Sequence, residues 1–236
     1  FFKIKPIPNA NPPQVVHKIV SHVLGGDADT IEHFYNWLAC IAQHRERTGT
    51  AWVLQGTQGT GKGLLFHHIL APIFGTANVV SKRMDEIESN FTGFMQNKSI
   101  VFIDEIEAGS SLYHNKITAK LKNLIVEPTI SVRHMYQEAK EITNYSNMIF
   151  ASNKPDPVEV APDDRRFNVG GYQMQRLVIS TQEVEVQLPK ELIEFYHYLS
   201  TRPADRDKAR TPHQNEARRV LQDISTKSAD VVATAI

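Results

Sequence analysis

Apolar residues recur at two different periods along the chain, and the switch between them marks out the elements. Val15, Val16, Ile19, Val20, Val23 and Leu24 fall at helical spacing, and Gly25-Gly26-Asp27 ends that run. A second helix begins near Asp29, with Ile31, Phe34, Tyr35, Leu38 and Ala42 on one face. From Thr50 the pattern becomes short, nearly continuous apolar runs, the signature of strands buried on both faces. AWVLQ (51–55) is the first of these; it ends in glycine, and GKGLLFHHILAPIF starts a helix at once. KSIVFIDEIE (98–107) is a second buried strand ending in acids, and NKITAKLKNLIVEP (115–128) is a helix with Ile117, Leu121, Leu124 and Ile125 inward. TISVRHMY and KEITNYSNMIFASN read as paired strands around a QEAK turn. Beyond Tyr172 come a weak strand (RLVIS, 176–180), the helix KELIEFYHYLS and a further helix from about Asn215.

Strands that alternate with helices imply an α/β fold, with a central, mostly parallel sheet flanked by helices. The hairpin is an insertion on that plan. The expected division is a linker rich in Pro and Asn (1–13), an N-terminal helical subdomain (14–48), a core (49–180) and a C-terminal helical segment (181–236).

Composition narrows the function classes. Of 236 residues, 41% are hydrophobic and 22% charged, which suits a globular chain rather than a disordered one. The net charge is zero, so any contact with nucleic acid is local and not a general basic coat. The one cysteine, Cys40, excludes an internal disulfide and lies in an apolar helical stretch, where an inert buried thiol is expected. No apolar run approaches the roughly 18 residues that span a bilayer. Phe1 stands where a starting Met would, which points to a piece of a longer protein.

The chemistry gathers at strand ends. Gly56, Gly59 and Gly61 leave backbone N–H groups clear to wrap a phosphate, and the following helix aims its positive end at the same anion. Thr60 and Gly63 complete the loop, and Lys62 supplies a point charge for the β- and γ-phosphates. A plain glycine-rich turn is the alternative, but GKG set between an apolar strand and a helix favours the nucleotide reading. Asp104 closes the second buried strand and can hold Mg²⁺; Glu105 can orient an attacking water. Asn153 ends a third apolar strand, and Arg165 and Arg166 follow two aspartates in PDDRRFNV.

NWLACIAQHRERTGTAWVLQGTQGTGKG, then VFIDE, IFASN and DDRRF, together resemble the superfamily 3 helicases, most of all the helicase domains of phage and plasmid primase-helicases. The resemblance covers about residues 35–172. It implies a P-loop NTPase of the AAA+ kind, assembled as a homo-oligomeric ring, usually a hexamer, that binds ATP and Mg²⁺ between subunits and moves along single-stranded DNA. By that resemblance Lys62 is the phosphate-binding lysine, Asp104 the magnesium ligand, Glu105 the catalytic base and Asn153 the polar sensor. Arg166 is the finger acting on a neighbouring subunit, with Arg165 the fallback. The hairpin corresponds to a DNA-contacting loop, with Arg133, His134 and Lys140 as its basic residues and Lys140 at its tip. A primase or polymerase domain is expected upstream, with an origin-binding domain as the other option, and the host cytoplasm as the location.

One position departs from the pattern. Gly63 stands where the loop carries a Ser or Thr hydroxyl that ligates Mg²⁺. Mg²⁺ keeps several waters and leans on phosphate oxygens, so a water can fill that place. The sequence therefore favours an ATP-driven DNA helicase, an ATPase coupled to unwinding. The alternative is a ring-assembly and DNA-binding module with weak or no hydrolysis. A small-molecule phosphotransferase has less support, because the hairpin and DDRRF have no part in it.

Overall fold

The computed structural model describes residues 11–88, 93–106, 112–133 and 138–234. In chain order, helices α1 (Gln14–Val23) and α2 (Ala28–His44) precede strand β1 (Ala51–Gln55). A continuous helical run follows, α3 (Lys62–Leu64), a π-helical stretch (Leu65–Leu70) and α4 (Ala71–Phe74). Then come β2 (Val79–Arg83), α5 (Met84–Glu88), β3 (Ile100–Asp104) and α6 (Leu112–Val126). The hairpin β4 (Thr129–Val132) and β5 (Lys140–Thr143) leads to β6 (Asn147–Ser152) and β7 (Phe167–Val169). The chain closes with α7 (Leu188–Thr201), α8 (Arg206–Arg210) and α9 (Glu216–Thr234).

The fold is α/β. Five strands form one sheet in the order β2-β3-β6-β1-β7, and every pair in it is parallel. Helices cover both faces, as an all-parallel sheet requires. On one face Trp52, Leu54, Phe102 and Ile149 pack with residues of α1, α2, α7 and the helical run after β1. On the other, Val53, Ile103, Phe150 and Val169 pack with Leu121 and Ile125 of α6 and Leu221 of α9. Trp37 and Trp52 are fully buried, and the Trp37 indole donates to Thr48 Oγ1 at 2.9 Å. Each such large apolar side chain contributes about 1.5–3 kcal/mol by burial, so α1 and α2 are bound into the core of the sheet rather than resting on it. Cys40 is buried, and burial pushes its thiol up to about 11.

Two sequence expectations change here. KEITNYSNMIFASN is two strands: Lys140–Thr143 pairs antiparallel with β4, while Asn147–Ser152 enters the main sheet between β3 and β1. The break falls at Asn144, whose amide donates to the carbonyls of Leu124 and Glu127 and so turns the chain. RLVIS alternates exposed and half-buried residues as its sequence does, yet it joins no strand. Its partner is the glycine loop instead: Leu177 N–H donates to Gly59 O at 3.0 Å.

Candidate functional site

The crossover from β1 leads to the far edge of the sheet at β2, whereas β7 lies on the other side of β1. The chain therefore diverges at the carboxyl end of β1, and in open parallel sheets ligands settle at such a divergence. The loop Gly56–Gly61 sits there. Gly61 has φ 93°, the left-handed region, and a Cβ on it would lie 2.9 Å from the Leu177 side chain. A Cβ on Gly56 would lie 2.5 Å from the carbonyl oxygen of Gln173. Both positions thus need glycine, for conformation and for space.

Lys62 begins the helix and is 8% exposed. Its Nζ donates to Gly56 O at 2.7 Å, Thr57 O at 3.1 Å and Thr60 Oγ1 at 3.1 Å, so the loop wraps its own lysine. Burial lowers the Lys62 ammonium from its ordinary value, and the Asp104 carboxylate nearby acts the other way. Thr60 is buried and donates to Thr57 O at 3.0 Å. Its hydroxyl is thus spent inside the loop. Gly63 is different. It has ordinary helical backbone, and a Cβ there would meet only the His67 ring, at 4.0 Å.

Asp104 ends β3 two strands from β1, and its Oδ1 accepts from the Glu105 amide at 3.0 Å. Glu105 has φ 56°, an uncommon conformation for a residue with a side chain. Its carboxylate pairs with Arg83, at the end of β2, at 2.7 Å. Asn153 follows β6, the strand between those of Lys62 and Asp104; it is exposed, and its carbonyl accepts from the Tyr172 hydroxyl at 3.0 Å. The sheet thus brings Lys62, Asp104, Glu105 and Asn153 to one rim.

Arg165 and Arg166 lie elsewhere. Phe167 pairs with Ala51, so both arginines precede the amino ends of β1 and β7, at the opposite rim from Lys62. Arg166 is held within the chain: its N–H and Nη1 both donate to the Asp164 carboxylate, at 2.8 and 3.1 Å. Arg165 is exposed. In the hairpin, Lys140 is exposed and forms the last described pair with Val132, Arg133 follows directly, and His134 lies outside the described residues.

The sequence reading missed the strip 173–177. Thr57 N–H donates to Gln173 O at 2.8 Å, and the Thr57 hydroxyl donates to Met174 O at 2.9 Å. Arg176 carbons would lie 3.3 and 3.5 Å from a Cβ on Gly59. The alternation of RLVIS was the available signal, read as a strand. Among the described residues, no helix is long and apolar enough to cross a membrane.

Against known proteins, residues 54–166 match a family of unknown function (DUF5906). Over 241 aligned residues the chain is 30% identical to the DNA primase-polymerase of Nitratiruptor phage NrS-1, covering 99% of this chain and 32% of that protein. The chain is similar to a phage replication protein. The apo structure of the NrS-1 C-terminal region superposes with a TM-score of 0.84 at 28% identity, over 94% of this chain and 53% of that one. A second apo form of that region gives 0.81 at 29% identity, with the same coverage. This chain spans about a third of the phage protein and about half of the solved region.

These findings correct the functional expectation. The relative aligned over 99% of the chain is named as a DNA primase-polymerase. The assignment to superfamily 3 helicases is not supported, and the reading as an ATPase coupled to DNA unwinding is withdrawn. The ring-assembly and DNA-binding alternative was built on the same resemblance and is withdrawn with it. The physical reason is that a glycine loop and acids at parallel strand ends specify what is held there, not the work it serves.

Proposed function

We propose that this chain is a nucleotide-binding part of a DNA replication enzyme of the phage primase-polymerase kind. Residues 56–62 hold the phosphates of a nucleoside triphosphate such as ATP, and Asp104 holds its Mg²⁺. The observation that carries the reading is Lys62, a buried ammonium at the divergence point of a parallel sheet, enclosed by loop carbonyls and close to the Asp104 carboxylate. The residues present fit the metal and the phosphates. Asp104 is a hard oxygen ligand whose charge is felt at the Lys62 ammonium, so a cation and an anion can be bound side by side. The loop carbonyls that now hold Lys62 are weaker partners for an ammonium than a phosphate oxygen is, so Lys62 exchanges them on binding. Glu105 and Asn153 place a carboxylate and an amide on the same rim, where they would be available to a metal's water and to a phosphate. Lys140 and Arg133, on the hairpin, are proposed to face DNA phosphates.

Equilibrium binding of fluorescent nucleoside triphosphates to the wild type and to Lys62→Ala, with Mg²⁺ and after chelation, tests the site. Loss of affinity in the variant and on chelation is expected; equal binding by both proteins would overturn the reading. The wider role is tested with the full-length protein on a single-stranded template supplied with nucleotides. Template-dependent primer synthesis is expected, and its absence would sink the assignment to this kind of enzyme.

A further inference from the structure

A cavity of about 460 Å³ opens beside β1, away from the helix that follows the glycine loop. Gln55 reaches it from the end of β1, on the same face as Ala51 and Val53, which pack toward α6 and α9. Gln55 is 3% exposed. Its Nε2 donates to Gly170 O at 3.0 Å, which fixes the amide's orientation, since a carbonyl can only accept. The other end, Oε1, is buried without a hydrogen-bond partner. A buried acceptor in that state costs about 1–3 kcal/mol, which a ligand's N–H would recover. At the cavity mouth Asp29 offers a second acceptor, whereas Asp27 is already engaged in capping α2 through the Thr30 amide, at 2.8 Å. Leu24, Val220 and the Tyr172 ring supply the apolar walls.

We propose that this cavity binds a nucleobase through the base's N–H donors. The unpartnered Gln55 Oε1 selects a donor, the apolar walls select a flat, weakly polar body, and the volume lies in the range of small-molecule sites. Of the three carboxylates that line the cavity, Asp27 is engaged by the Thr30 amide and Glu216 is paired with Arg219 at 2.5 Å, so a guanidinium or ammonium, which would have Asp29 alone to meet its charge, fits less well. The inference rests on the reading of the chain as part of a nucleotide-handling enzyme. The base belongs either to a free nucleotide or to single-stranded DNA, and the same cavity chemistry serves both.

Calorimetric titration of the whole chain with adenosine, purine riboside and a short deoxyadenosine oligonucleotide tests this. Val220 is 48% exposed, so Val220→Trp blocks the mouth without entering the core. Gln55→Leu removes the acceptor. Adenosine binding is expected to fall about tenfold or more in each variant, and purine riboside, which lacks the exocyclic amine, to bind more weakly than adenosine. Competition by the oligonucleotide would assign the base to DNA; competition by mononucleotides alone would assign it to a free nucleotide. Either result supports the cavity. Failure of every ligand to bind, or equal binding to the wild type and Val220→Trp, would overturn it. Adenosine has no phosphate, so it reports on the cavity alone. Triphosphate binding that ignores Lys62→Ala would instead count against the loop.

Discussion

The Arg83 guanidinium and the Glu105 carboxylate meet at 2.7 Å across the ends of β2 and β3. The two side chains are 68% and 52% exposed, so solvent screens the pair and its share of stability is below about 1 kcal/mol. Its effect is expected in ligand affinity instead. Arg83→Gln leaves the Glu105 charge uncompensated on the rim where phosphates are proposed to lie. Triphosphate affinity is expected to drop several-fold, with a thermal midpoint close to that of the wild type. Added salt should narrow the gap, since exposed charges are screened.

Glu105 also holds a backbone conformation that glycine adopts freely, at φ 56°. Glu105→Gly should therefore raise unfolding stability by about 1 kcal/mol, read from chemical denaturation. A loss of stability instead would mean that the carboxylate contributes more than the backbone strain removes.

Space beside Gly63 makes a gain-of-ligand experiment available. A Cβ there meets only His67, at 4.0 Å, so Gly63→Ser fits without a shift. Serine outranks glycine inside a helix by about 0.5 kcal/mol, so stability should rise slightly. With Mg²⁺ held as proposed, the hydroxyl would add a ligand to it, and Mg²⁺-dependent triphosphate affinity should increase. An increase seen equally in the absence of Mg²⁺ would show that the hydroxyl acts on the loop and not on the metal.

His33 gives the chain a pH-dependent stability. Burial, and then the His213 ring stacked on it at 5.1 Å, push its imidazole from 6.5 down to about 4. The unfolded chain therefore binds more protons between those values. Stability is full above about pH 6.5 and falls as pH drops toward 4, by up to about 3 kcal/mol at about 1.36 kcal/mol per unit. Denaturation midpoints for the wild type and His33→Asn across that window check this, and the variant should lose most of the slope.

Arg218 is buried within α9, and its guanidinium donates to the carbonyls of Phe167, at 2.5 Å, and Asp164. Burial lowers it from its ordinary value, and the Asp164 charge opposes that. Arg218→Ala strands two carbonyls and leaves the Asp164 carboxylate with fewer cations, at a cost of about 3–5 kcal/mol. A fall in the unfolding midpoint is expected, with triphosphate affinity per folded molecule unchanged, because the loop stands at the opposite rim.

The parts legible in the sequence were those whose partners follow within a few residues. AWVLQ followed by GTQGTGKG, and IVFID followed by Glu105, each carry a strand and the turn after it in one stretch, and the structure sets both turns at one rim of the sheet. RLVIS did not yield to the same reasoning. Leu177 and Ile179 do turn toward the core, so the alternation is real, but the backbone partner lies more than a hundred residues upstream at Gly59. The unpartnered face of Gln55 was equally hidden, since it depends on where Gly170 and α9 arrive. Function was the least legible: four motifs in order resembled a helicase, and the relative that spans the chain bears another enzyme's name.

The strip from Gln173 to Leu177 has a practical bearing on how the protein is cut. The recognised family segment stops at residue 166, before the two carbonyl and amide groups that tether Thr57 and Gly59. A fragment ended at that boundary keeps every glycine of the loop and Lys62 but loses β7 and the edge that shapes them. Its failure to bind a nucleotide would report a missing buttress, not a missing site.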